Sequence, residues 1–232
     1  MSDNQVAKPH IRDVKDAGIK IGGGGTGNFL TENRKSLAVI FGAIVVLIAL
    51  YFAYQKFYIG PKEDEARNQM QAAEKYWGSK DWDKAIKGDG QYPGFEKIIA
   101  DYSNTASANL AYYYLGVAYL NKGEYNKAID NLTSYSAKDN MIASQALGST
   151  GDAYVELKQY DKAITYFKKA ADKGSNAFHT PFYLKKLGLV YEAQNDFKSA
   201  ADTYKSIQDK YPTSTEGQTI DEYIARAEAK QK

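Results

Sequence analysis

A short phrase returns four times in this chain, and no other feature restricts its fold as much. It reads Asp81-Trp82-Asp83-Lys84-Ala85-Ile86, Glu124-Tyr125-Asn126-Lys127-Ala128-Ile129, Gln159-Tyr160-Asp161-Lys162-Ala163-Ile164 and, more loosely, Asp196-Phe197-Lys198-Ser199-Ala200-Ala201. Its aromatic positions are 43, 35 and 37 residues apart, close to the period of a stacked helix-turn-helix unit. Upstream of each phrase a second helical pattern ends on an aromatic: Ala73 to Tyr76, Leu115-Gly116 to Tyr119, Gly151 to Tyr154, and Leu187-Gly188 to Tyr191. Positions three apart share one helix face, so the small residue admits a paired helix and the aromatic fills the space beside it. Ala85, Ala128, Ala163 and Ala200 do the same on the second helix, where a larger side chain would push the pair apart.

This pattern resembles the tetratricopeptide-repeat (TPR) family: Leu-Gly-x-x-Tyr, then Ala nine residues later, then an aromatic or Leu four residues on. Residues 116, 119, 128 and 132 fit it, as do 151, 154, 163 and 167, and 188, 191, 200 and 204; Tyr211-Pro212 stands where the family places its proline. The resemblance implies an all-α helix-turn-helix solenoid over 62–232, with repeats at about 63–104, 109–140, 144–176 and 181–213. The first repeat departs from the pattern. After Ala85-Ile86 comes Lys87-Gly88-Asp89-Gly90-Gln91-Tyr92-Pro93-Gly94, which no helix continues through unbroken, so this repeat reads as a cap with an extended or broken second helix. Ile220, Tyr223, Ile224 and Ala227 stand at helical spacing and mark a C-terminal capping helix over 215–230.

Ahead of the repeats, Ser36 to Tyr54 runs 19 residues without a charge, roughly 28 Å as a helix. Arg34 and Lys35 precede it and Tyr51, Tyr54, Lys56, Phe57 and Tyr58 follow, as at membrane interfaces. A cleaved signal would lie nearer the N-terminus and end in a small-residue cleavage site, and a core helix is rarely apolar all round. Residues 36–59 therefore read as one transmembrane helix, which Gly60-Pro61 ends or bends. The 1–35 tail carries six basic residues, which favours a cytoplasmic N-terminus and a repeat domain across the bacterial inner membrane, in the periplasm. Gly22 to Gly27 superficially suggests a phosphate loop but lacks the Gly-Lys-Ser/Thr sequence and the strand and helix around it; a flexible tail is the expectation.

Composition narrows the chemistry. The chain has no cysteine and two histidines, His10 and His179, which argues against disulfides, thiolate sites and a histidine metal cluster. Residues 62–232 hold 23 Lys and Arg against 24 Asp and Glu, a net charge of 23 − 24 = −1, so no basic footprint for nucleic acid is visible. No serine elbow, zinc-binding helix, P-loop or spaced carboxylate pair is present, and the reading is of a non-enzyme that needs no cofactor. His179, beside Thr180-Pro181, reads as a capping or surface residue at a helix start.

In TPR solenoids the first helix of each pair lines a groove. On this register the resemblance places Tyr113, Asn121, Asp152, Glu156, Lys185, Lys186 and Glu192 there, with Met70, Gln145 and Phe182 on the same face. The set lacks the Lys/Asn/Arg combination with which chaperone-binding TPR proteins clamp a C-terminal carboxylate. One anchor, a short tail and an external TPR domain together resemble the YfgM family of ancillary bacterial Sec-translocon subunits. That implies protein partners: translocon subunits, a periplasmic chaperone or an exported polypeptide. The alternative is a structural scaffold bridging inner-membrane machinery to outer-membrane or cell-wall proteins.

Overall fold

The computed structural model describes residues 33–137, 139–174 and 176–231. The glycine run at 22–27 and His10, read above as parts of a tail, lie outside the described residues. The chain divides into two compact units, the first ending at Tyr54 and the second spanning Gln55–Lys232.

In the first unit α1 covers Arg34–Tyr54, and none of its residues is buried. It belongs to a stretch long and apolar enough to cross a membrane. An apolar helix of this length with no buried residue is compatible with a membrane-spanning segment.

The second unit opens with a π turn, Gln55–Ile59, and α2, Gly60–Gly78. Gly60-Pro61 was expected to end or bend a helix. Pro61 instead stands in the first turn of α2, where a helix has no partner for the missing N–H and the fixed φ is already helical. Then follow α3 (Trp82–Lys87), α4 (Phe95–Asp101), α5 (Ala106–Asn121), α6 (Tyr125–Ser134), α7 (Asn140–Glu156), α8 (Tyr160–Gly174), α9 (His179–Ala193) and α10 (Phe197–Lys210), with α11 (Asp221–Ala229) last. The C-terminal cap is shorter than 215–230, because Gly217–Thr219 form a separate 3-10 turn.

The interruption in the first repeat splits its second helix into α3 and α4. Gly88 and Gly90 adopt φ of 89° and 92°, values that side chains disfavour. Asp89 holds the turn: its carboxylate accepts from the Gln91 and Tyr92 N–H groups at 2.9 and 2.7 Å and from the Tyr76 hydroxyl at 2.7 Å.

In the remaining repeats one contact recurs. A Cβ added at Gly116 would lie 2.5 Å from Leu132, at Gly151 2.7 Å from Phe167, and at Gly188 2.2 Å from Tyr204. Each pair is sixteen residues apart and joins the two helices of one repeat. Ala85, Ala128, Ala163 and Ala200 are fully buried, as close helix approach requires. The turns between paired helices also repeat. Lys80, Gly123, Lys158 and Asn195 take φ of 61°, 77°, 56° and 62°, and the next residue donates its N–H to the carbonyl of the aromatic that ends the first helix: Tyr76, Tyr119, Tyr154 and Tyr191. This left-handed exit closes the helix C-terminus and aims the chain back along it.

Glu63 ties the first helix to the next repeat. One carboxylate oxygen accepts from the Ala106 and Ser107 N–H groups at 2.6 and 3.2 Å, the other from the Ser107 hydroxyl at 2.6 Å. It thereby caps the N-terminus of α5, where free donors and the helix dipole favour an anion. Burial pushes the Glu63 carboxyl up, and these hydrogen bonds outweigh it, leaving it below its ordinary value.

Candidate protein-binding groove

The first helices α2, α5, α7 and α9 are consecutive neighbours, so their outward side chains form one continuous face. Two polar rungs cross it. The Tyr113 hydroxyl of α5 donates to Gln145 Oε1 of α7 at 2.9 Å. Lys186 Nζ of α9 donates to both carboxylate oxygens of Asp152 on α7 at 2.7 Å. Phe182 lies beside the second rung, its ring 5.1 Å from Lys186 Nζ, and is 42% exposed. Tyr183 packs so closely on α7 that a Cβ at Gly148 would lie 2.1 Å from its ring.

The polar groups here differ in electrostatic character. Burial pushes the Tyr113 and Tyr183 hydroxyls up to about 12, so both remain neutral donors at physiological pH. Burial also raises the Asp152 carboxyl above its ordinary value, and the charge and hydrogen bonds of Lys186 recover only part of the rise. A raised acid favours folding below its unfolded pKa, and that contribution is lost as pH rises through the folded value. At neutral pH the Asp152 charge is therefore a net cost to the fold, moderated because 35% of its side chain and 29% of that of Lys186 reach solvent.

The other residues assigned to the groove have local duties. Asn121 donates to the Val117 carbonyl of its own helix at 2.8 Å. Glu156 accepts from the Tyr125 hydroxyl at 3.1 Å, and Lys185 stacks on Tyr223 of the C-terminal cap at 4.2 Å. Met70 is buried core, only 4% exposed, contrary to its assignment to the face. His179 opens α9 but does not cap it: Asn176 Oδ1 accepts from the Phe178 and His179 N–H groups at 2.9 and 2.7 Å. Tyr183, at 5% exposed, is likewise core beneath the face, its ring filling the space that Gly148, a second small residue in α7, leaves open.

Glu192 is a structural clasp. It accepts from the Tyr204 hydroxyl at 2.8 Å and from Arg226 Nε and NH2 at 3.0 and 2.7 Å, fastening α9 to α10 and α11. Burial pushes its carboxyl up, but the Arg226 and Tyr204 hydrogen bonds prevail and hold it below the ordinary value of 4.5. A lowered acid contributes stability that is complete above its unfolded pKa and lost as pH falls through the folded one. Urea melts of Glu192→Gln are expected to show a shallower loss of stability below about pH 4.5 than the native chain; parallel acid limbs would mean that Glu192 is not the clasp.

Among the described residues no group of three or more His, Cys, Asp or Glu side chains is placed to hold a metal ion. Two tetratricopeptide-repeat family models match the chain, over residues 110–138 and 150–215. The chain is similar to "Uncharacterized protein ycf37" of Guillardia theta, 33% identical over 103 residues, which are 41% of this chain and 54% of that protein. It thus spans about half the length of the curated relative it matches. Among solved structures, the crystal structure of MamA is 22% identical, covers 72% of this chain and 82% of its own, and superposes with a TM-score of 0.57. A Podosopora anserina kinesin light chain with TPR-like repeats is 16% identical, with coverage of 73% and 87% and a TM-score of 0.57. At these identities the structures speak for the fold alone, and the translocon resemblance gains nothing from them. With matching family models, a helical solenoid and the same glycine contact in successive repeats, the chain carries tetratricopeptide repeats.

Proposed function

We propose that this chain is a membrane-anchored docking platform for protein, and that the face bearing Tyr113, Gln145, Asp152 and Lys186 receives an exported polypeptide or its chaperone close to a membrane exit. The observation that carries the reading is the Asp152–Lys186 rung. Burial raises the Asp152 carboxyl although Lys186 pairs with it, and about a third of each side chain still reaches solvent, so the pair presents partly desolvated charges of the kind that give a protein contact its specificity. Phe182 beside it offers an exposed aromatic, the type of residue that anchors protein contacts. A single apolar helix ahead of the repeats fits delivery at a membrane surface, and the basic N-terminal tail fits a cytoplasmic start with the repeats on the far side.

A photo-crosslinking amino acid at Phe182 tests this directly. In intact cells it is expected to trap translocon subunits, a chaperone or chains in transit, while protease added to spheroplasts digests a C-terminal tag. Enrichment of outer-membrane assembly or cell-wall proteins would favour the scaffold alternative, and protection of the tag would sink both readings. Asp152→Asn combined with Lys186→Met is expected to leave the melting temperature unchanged or raised while reducing the crosslink about tenfold, the loss of a desolvated charge contact. A fall in stability with an intact crosslink would reverse the assignment.

A further inference from the structure

A second site lies between α6, α7 and α8. Helix α6 has 10 residues, whereas α8 has 15 and α10 has 14. Its early end at Ser134 uncovers part of α7 and leaves a cavity of 280 Å³ between α6, α7 and α8. The deep part is apolar: Leu132, Ala143 and Ala146 are buried, and the Thr150 hydroxyl is already satisfied by the Ala146 carbonyl at 2.8 Å. Tyr135 and Tyr166 form half-buried walls.

The mouth is cationic. Lys169 and Lys173, one turn apart on α8, are exposed there. Lys169 Nζ rests 5.2 Å from the Tyr166 ring, and among the described residues neither lysine forms an ion pair. Among the described residues no carboxylate lines the cavity. On other second helices Lys127 is matched by Glu124 at 2.7 Å and Lys205 by Glu228 at 2.5 Å, whereas Lys162, Lys168 and Lys210, like Lys169 and Lys173, form no ion pair among the described residues.

We propose that this cavity is a docking site, distinct from the groove, for a short acidic segment of a partner protein. One aromatic or branched apolar side chain fills the cavity and flanking carboxylates meet Lys169 and Lys173. The volume falls just below the range of small-ligand pockets, which suits a single side chain better than an acyl chain. The Tyr135 ring also packs, tilted, against that of Tyr113 with centroids 6.0 Å apart, so an occupant of the cavity touches a residue whose neighbour contributes a rung of the groove.

The probe is a fluorescein-labelled peptide with one phenylalanine flanked on both sides by glutamates, titrated by anisotropy into the full chain in phosphatidylcholine nanodiscs. Saturable binding is expected. Lys169→Glu with Lys173→Glu should weaken it by at least about tenfold, and Thr133→Trp, at the exposed mouth, should block it. Lys169→Arg with Lys173→Arg should retain it, and Asp152→Asn with Lys186→Met should leave it unchanged, which separates this site from the groove. The inference is overturned by no saturation up to about 1 mM peptide, by equal binding to the charge-reversed chain, or by equal binding of a peptide with glycine in place of phenylalanine. Displacement by a short-chain phosphatidylglycerol would overturn it too, by assigning the lysines to a lipid headgroup.

Discussion

Gly188→Leu is expected to lower the stability of the repeat unit by about 3 kcal/mol or more, the upper range for forcing volume into a packed core. A Cβ at this position would already lie 2.2 and 2.6 Å from Tyr204 Cε1 and Cζ. Tyr204 has no room to retreat: it is fully buried, and its hydroxyl is bonded to Glu192, which Arg226 grips in turn. Replacing helical glycine gains about 1 kcal/mol of propensity, too little to offset the clash. Because repeats couple mainly to their neighbours, the loss should begin at the C-terminal end. Trp77 and Trp82 pack against each other in the first core cluster, with ring centroids 6.1 Å apart. In urea, far-ultraviolet circular dichroism is therefore expected to fall before tryptophan fluorescence changes, whereas the two coincide in the native chain. Gly78→Ala is the control, since nothing lies within 4 Å of its added Cβ. Unchanged dichroism in Gly188→Leu would mean that the close approach of α9 and α10 is not what holds this end together.

The fold was legible because the contacts that make it are written in residue size. A glycine, its aromatic three places on and the alanine of the next helix have one spatial explanation, and three repeats supply it. The turns were less legible: Gly123 and Asn195 suit a left-handed exit, but Lys80 and Lys158 occupy the same conformation and carry no local sign of it. The groove was legible only as a helix face. Sequence places Asp152, Lys186, Glu156 and Glu192 on first helices alike, and partners one or two helices away decide which of them are spent. Tyr125 and Arg226 engage Glu156 and Glu192, while Asp152 and Lys186 find each other. The cavity depends on the early end of α6, a boundary that periodicity does not locate.

Removal of residues 1–54 is expected to move the chain from the membrane pellet to the soluble fraction without altering its melting temperature. Between Ser36 and Tyr54 stand eleven Leu, Ile, Val and Phe residues and no charge. At roughly 0.3–0.6 kcal/mol each near a bilayer centre they favour insertion by roughly 3–7 kcal/mol. None of that surface is used in folding, since α1 has no buried residue and all three core clusters lie between Met70 and Ala227. Carbonate extraction should leave the full chain in the pellet and release residues 55–232. Leu47→Arg with Ile48→Arg should release the full-length chain as well, because each arginine costs about 2.5–3.5 kcal/mol at the helix centre. Sedimentation of residues 55–232 with membranes would instead mean that the repeats bind the bilayer themselves; the exposed Phe178, at 75%, would then be the first residue to replace. A lowered melting temperature of the shortened chain would show that the anchor also supports the fold, and the repeat unit could no longer be treated as a separate folding body.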